Sequence, residues 1–310
     1  MVLDYFLTVS KQVVILFMLI GVGFICGKIG FMNKSTAKNI TDIVLYFVTP
    51  CVIINAYQVD FNPEILINLG ITALCAIGAH IVSIIIVTLV FRGKDIDKKA
   101  VLRFGTVFSN CGFMSLPLQQ AIIGQEGVLY GAAFVGVFNI FLWTYGVICM
   151  SGDKKGISAK SLLLNPGILG VVIALIFFLL SFRLPDVIGQ PVKYLASLNT
   201  PLPMFIIGFY LSSSKISSGL KDKNAWLSAL IRLIAIPVIF ISIMYLLGVR
   251  DNILITVAIA VSAPIAATTT MFATKFNKDT ELSVNLVSLS TILSIVTMSC
   301  IVAITQMISW

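Results

Sequence analysis

Acidic side chains are scarce where they would matter most: of the 13 Asp and Glu in this 310-residue chain, none falls near the middle of a hydrophobic run. A mid-membrane carboxylate is a common means of coupling a carrier to protons or sodium, so its absence weakens the case for carboxylate-mediated coupling. Sodium held by carbonyls and hydroxyls remains open. Histidine is reduced to one residue, His80. With no HExxH, no GxSxG and no mid-span aspartate pair, the general acid–base chemistry of an intramembrane enzyme is not supported. No CxxC pair occurs. The six cysteines (Cys26, Cys51, Cys75, Cys111, Cys149 and Cys300) all lie in apolar stretches and read as small buried hydrophobes, so neither a metal nor a cofactor is expected. Charged residues make up only 11% of a chain that is 58% hydrophobic, with mean hydropathy +1.04. No water-soluble core hides that much apolar surface, and the composition excludes a soluble protein.

What the sequence has in abundance is long apolar runs. Ten recur, at approximately 5–27, 37–58, 65–90, 100–123, 127–150, 166–182, 191–213, 224–247, 253–274 and 283–307. Nearly all approach the ~20 residues that span a hydrocarbon core of roughly 30 Å as a helix. The first is too long for a secretory leader, lacks a small-x-small cleavage site and carries Asp4 at its front, so it reads as the first helix. A net charge of +8 would suggest nucleic acid in a soluble protein, but here its distribution is a topology signal. Loops and flanks after odd-numbered spans hold sixteen of the 21 Lys and Arg; those after even-numbered spans hold three, Arg183, Lys193 and Arg250. Basic loops stay cytoplasmic, so this multi-pass protein is expected in the cytoplasmic membrane with both termini outside.

Ten spans divide into two sets of five. A unit with an odd number of helices enters the bilayer from opposite sides in its two copies, which makes the repeats inverted. Landmarks recur at a common offset: Thr49-Pro50 in the second span and Thr200-Pro201 in the seventh, Pro117 in the fourth and Pro264 in the ninth. The expected organisation is a first repeat over 1–150, a cytoplasmic linker over 151–165 and a second repeat over 166–310.

The fourth and ninth spans carry the functional signal. Proline lacks a backbone donor and clashes with the carbonyl one turn before it, so Pro117 and Pro264 are each expected to open a helix inside its span. Freed backbone groups cost several kcal/mol apiece in hydrocarbon, so such breaks survive only in protein or beside a polar cavity. The surroundings are polar: Ser109, Asn110 and Ser115 at the first break, with Gly112 a further candidate contact among them, and Ser262, Thr268, Thr269 and Thr270 at the second. New half-helices starting at Leu118 and Ile265 would direct positive amino ends at a solute in mid-membrane, an anion-binding arrangement. The first halves end at a similar depth with carbonyls exposed, which suits a cation or a polar group, so the dipoles alone leave the sign of the solute open.

Three further polar residues lie inside spans. Asn139, in the fifth, serves either as a hydrogen bond between helices or as a substrate contact. His80, in the third, either carries a proton or sits neutral against a carbonyl. Arg232, about two turns inside the eighth, is read as snorkelling to the cytoplasmic surface, with compensation of substrate charge as the alternative.

These residues resemble the auxin efflux carrier family, which includes plant PIN-type carriers and bacterial malate or malonate permease-like members. Asn110 followed by Pro117 and Gly124 resembles the family's fourth-helix crossover. Pro264 followed by Phe272-Ala273 and Phe276 resembles its ninth-helix crossover, and Asn139 with Trp143 a fifth-helix pattern that carries substrate contacts. The resemblance covers essentially the whole chain. It implies an all-α membrane fold of ten transmembrane helices in two inverted five-helix repeats, similar to bile-acid symporters and sodium/proton antiporters. It further implies a scaffold of helices 1, 2, 6 and 7, a transport domain of helices 3–5 and 8–10, elevator-type movement of an organic anion, and a homodimer. Plant carriers place Gln-Gly after the ninth-helix proline where this chain has Ile265-Ala266, and they carry a long central loop absent here, so a small carboxylate such as malate is expected rather than auxin. Sodium- or proton-coupled symport of another small solute is the alternative function.

Overall fold

The computed structural model describes residues 2–153, 165–213 and 222–309. Most of the expected linker, with Lys154, Lys155 and Lys160, lies outside the described residues. In chain order the helices are α1 (Val2–Lys28), α2 (Lys34–Ala56), α3 (Pro63–Val90), α4 (Ile96–Val107), α5 (111–122), α6 (Gln125–Ser151), α7 (Pro166–Leu179), α8 (Asp186–Ser213), α9 (Lys223–Leu246), α10 (Asp251–Ser262), α11 (Thr268–Lys275) and α12 (Thr280–Ile308). Seven of these, α1, α2, α3, α6, α8, α9 and α12, are long and apolar enough to cross a membrane. The fourth and ninth expected spans are instead pairs of half-helices, α4 with α5 and α10 with α11, and the sixth is the 14-residue α7.

Polarity is arranged for lipid. Met18, Leu74, Leu246 and Val296 stand exposed on the outside, while Ser283, Ser290, Ser294 and Ser299 of α12 are buried. Without a hydrophobic drive between helices in a bilayer, close approach through small residues does the packing. Helix α1 runs along the second half of α8, and Gly23, Gly27 and Gly208 line that seam. A Cβ on Gly23 would lie 2.3 Å from the Phe205 carbonyl oxygen, and one on Gly208 would lie 2.1 Å from that of Ile20, so both positions require glycine.

Prolines do less damage than the sequence predicts. Pro50, Pro117 and Pro237 each follow, by two residues, a widened π turn at Val44–Val48, Cys111–Ser115 and Ile231–Ala235. The wider turn gives the ring room and relieves the missing hydrogen bond, so all three helices continue through their proline. Pro117 therefore does not open the fourth span. The chain breaks at 108–110 instead, and the new half-helix starts at Cys111 rather than Leu118. Pro264 does sit in a break, with regular helix resuming at Thr268, three residues later than expected.

Helices α3 to α6 and α9 to α12 pack into one body, in which α3 meets α6 and α12 runs beside both α10 and α11. Against it lie α1, α2, α7 and α8, with α7 and the first half of α8 seated on the end of α2.

Candidate functional site

The two interrupted spans meet at their breaks. Phe108 leaves α4 in an extended conformation, Ala263 leaves α10 likewise, and Ser109 and Ile265 form an antiparallel β-bridge. The Asn110 N–H donates to the Pro264 carbonyl at 2.7 Å, and the Ala266 N–H donates to the Phe108 carbonyl at 2.9 Å. A third donor of the breaks, the Ile265 N–H, is accepted by Ser290 Oγ of α12 at 3.1 Å. Each interruption thus satisfies the other's backbone, as a buried break must.

Four helix ends converge on this crossing, and the two kinds are treated differently. The carbonyl ends of α4 and α10 are taken by Arg232, whose residue is 2% exposed. Nη1 donates to the carbonyls of Val107 at 3.0 Å and Thr106 at 3.3 Å, and Nη2 donates to that of Val261. Arg232 does not snorkel: its guanidinium points inward because the carbonyls that satisfy it are there. One turn earlier on α9, Ser228 Oγ lies 2.6 Å from Thr106 Oγ1, a second tie to the same helix end.

The amino ends of α5 and α11 have no side-chain cap. They border a cavity of about 140 Å³ lined by Asn110, Gly112, Asn139, Trp143, Asn165 and Thr268, among others. Asn110 is 5% exposed, and its carboxamide makes no hydrogen bond to the described residues. Thr268 Oγ1, on the first residue of α11, has no partner among them either. Asn139 Nδ2 donates to the Val135 carbonyl of its own helix at 2.9 Å. Where α7 begins, Gly167 brings its backbone against Asn139: a Cβ there would fall 2.7 Å from Nδ2. Lys275, exposed at the end of α11, stands 5.3 Å over the Trp143 ring at this cavity's wall.

Other residues expected at the site lie elsewhere. Ser115 and Ser262 hydroxyls both donate to the Ile259 carbonyl, each at 3.3 Å, and so mend α10 rather than face the cavity. Thr269 is fully buried behind it, Pro264 is spent in the crossing, and Pro117 faces a second cavity of about 360 Å³. This second space is lined by Asn55, Gln120, Gln125, Lys193 and Thr200. It lies further along α2, beyond the Tyr46 and Thr49 that wall the first. His80 is 3% exposed, with Nδ1 at 2.7 Å from the Ala76 carbonyl and its ring stacked on Phe141 at 4.7 Å, the geometry of a histidine satisfied by its own helix. Tyr46, Asn165 and Gly167 were not identified from sequence. Tyr46 and Gly167 carried no signal beyond the apolar runs around them, Asn165 fell in the expected linker, and tertiary packing alone brings them to the cavity that Asn139 lines.

Among known proteins, the profile of the family described as membrane transport protein matches residues 8–302. An uncharacterized transporter of Methanocaldococcus jannaschii is 25% identical over 300 residues, covering 91% of this chain and 94% of the relative. An uncharacterized transporter of Methanothermobacter thermautotrophicus is 25% identical over 303 residues, covering 94% and 97%. A profile matched from the first helix to the last, on a chain of membrane-length helices, agrees with the resemblance to auxin efflux carriers read from Asn110, Pro117 and Pro264: this is a multi-pass membrane protein and belongs to the membrane transport protein family.

Proposed function

We propose that the chain is a secondary carrier that moves a small organic anion across the cytoplasmic membrane. One observation carries this reading. Helix ends bear partial charges of roughly half a unit, positive at the amino end and negative at the carbonyl end. Arg232 already matches the two carbonyl ends at the crossing, whereas the two amino ends have no cap and border the 140 Å³ cavity. What that cavity lacks is one negative charge, and a carboxylate supplies it. The volume is well below the ~300–1,000 Å³ of pockets for drug-sized ligands, which favours a small solute.

In this reading Asn110, Gly112 and Thr268 hold the carboxylate and Asn139 orients the remainder. The ten spans form two inverted repeats, 1–150 and 166–310, joined by a cytoplasmic linker, with both termini outside. The two cavities flank the crossing between the same two groups of helices, an arrangement suited to alternating access by an elevator movement of α3–α6 and α9–α12 against the rest.

Uptake of labelled mono- and dicarboxylates into proteoliposomes tests the reading, with Asn110→Ala as the comparison. The Asn110 tie to the crossing is through its main-chain amide, so the substitution leaves the backbone geometry in place. Carboxylate uptake that collapses in the variant supports the assignment. Uptake at the unmodified rate removes it, and accumulation that follows an imposed sodium or proton gradient would replace it with coupled symport.

A further inference from the structure

Arg232 is a full positive charge inside the protein with no acidic partner among the described residues. Such a charge is expensive in a membrane, and arginine does not escape by losing its proton. Its compensation is the pair of helix ends. Val107 is the last residue of α4 and Val261 the last but one of α10, and the guanidinium bonds the carbonyls of both. Two carbonyl-rich ends carry together roughly one negative charge, the complement of one monovalent cation. Unwound carbonyls meeting carbonyl ends at the middle of a membrane form the kind of site that holds a free cation in other carriers. Nε adds a second observation: it has no acceptor among the described residues, and Arg232 borders a gap of about 10 Å³ walled by His80, Ser83 and Ser109. That gap is near the size of one water, too small for a hydrated free cation beside the guanidinium.

We propose that Arg232 is a tethered cation: its guanidinium permanently occupies a monovalent cation site formed by the carbonyl ends of α4 and α10 at the crossing. The carrier then needs no free cation at this place, and the positive charge stands behind the amino ends that receive the solute. The first half of this proposal depends only on the geometry of Arg232; the second rests on the organic-anion reading above.

The test is therefore a binding experiment that needs no substrate. Detergent-purified Arg232→Ala and the length-conserving, neutral Arg232→Gln are melted in choline, sodium, potassium and low-millimolar guanidinium chlorides at equal ionic strength. Anything that binds only the folded state raises Tm by mass action. Expected are a lowered Tm in choline for both variants, a saturable rise with guanidinium in Arg232→Ala, and a wild-type Tm indifferent to the cation. A variant that melts like wild type, or one whose lowered Tm responds to no cation, overturns the tethered-cation assignment. A saturable sodium effect on the wild type overturns it even if neither variant can be purified. In proteoliposomes, losing hydrogen bonds from a charged group should slow uptake at least about tenfold in Arg232→Ala, with partial recovery in guanidinium. Binding rescue without any carboxylate uptake in the wild type would leave the cation site standing and remove the anion reading.

Discussion

Gly167→Ala is the smallest change that should reach the site. The added methyl would lie 2.7 Å from Asn139 Nδ2 and 3.1 Å from Asn165 Oδ1, where ordinary contact begins at 3.4 Å. Backbone at the start of α7 cannot retreat easily, because Asn165 caps it by accepting the Ile168 N–H at 3.1 Å. The Asn139 amide must therefore turn away, giving up its bond to the Val135 carbonyl and adopting a poorer rotamer. A neutral hydrogen bond contributes about 0.5–1.5 kcal/mol and an off-rotamer side chain costs a similar amount. A total of about 1–3 kcal/mol corresponds to a factor of roughly 5–150. If Asn139 orients the solute, that factor appears in the KM for uptake of the best carboxylate, with a small change in Tm. A double-mutant cycle with Asn139→Ala decides the cause, since without the carboxamide the methyl has nothing to displace. Additive effects of the two substitutions, or an unchanged KM in Gly167→Ala, would refute the reasoning.

Three other outcomes follow from the geometry. Ser109 and Ile265 are the non-hydrogen-bonded pair of their bridge, a class with Cα atoms about 4.5 Å apart, inside the range of a disulfide. Ser109→Cys with Ile265→Cys, in a background lacking the six native cysteines, should cross-link under mild oxidant in membranes, as read by loss of maleimide labelling in the unfolded protein. Gly208→Ala drives a Cβ to 2.1 Å from the Ile20 carbonyl oxygen, so α1 and α8 must part. Overpacking of this kind costs about 1–3 kcal/mol, seen as a clear fall in Tm. By contrast, the Lys278–Asp97 pair at 2.6 Å, with Asp97 exposed and Lys278 half-buried, should be worth under about 1 kcal/mol, and Asp97→Asn should melt close to wild type.

Much of this was legible in the sequence because the bilayer imposes simple rules. Apolar runs located the long helices, and the clusters around Asn110 and Thr268 identified the two spans that had to be irregular. Proline misled over the position of the first break. Pro117 is tolerated beyond a widened turn, while the chain opens at Phe108–Asn110, where no proline marks it. The hydroxyls of Ser115 and Ser262 looked like ligands but repair backbone. Arg232 was the largest departure. Near a helix end a long basic side chain ordinarily reaches for water. Its acceptors, Val107 and Val261, lie 125 and 29 residues away, and only the crossing of two other helices reveals that the inward rotamer is satisfied.

At the centre of the account is a pair of helix amino ends without a side-chain cap, proposed to receive a carboxylate beside Asn110. The most direct measurement is ligand-induced thermal shift of the wild type and Asn110→Ala against small carboxylates, each matched with its isosteric amide and amine. The account predicts a saturable rise in Tm for at least one carboxylate, none for its amide or amine, and loss of that rise in Asn110→Ala. Stabilisation by the amine or the amide in place of the carboxylate, or a carboxylate effect that survives in Asn110→Ala, would contradict it.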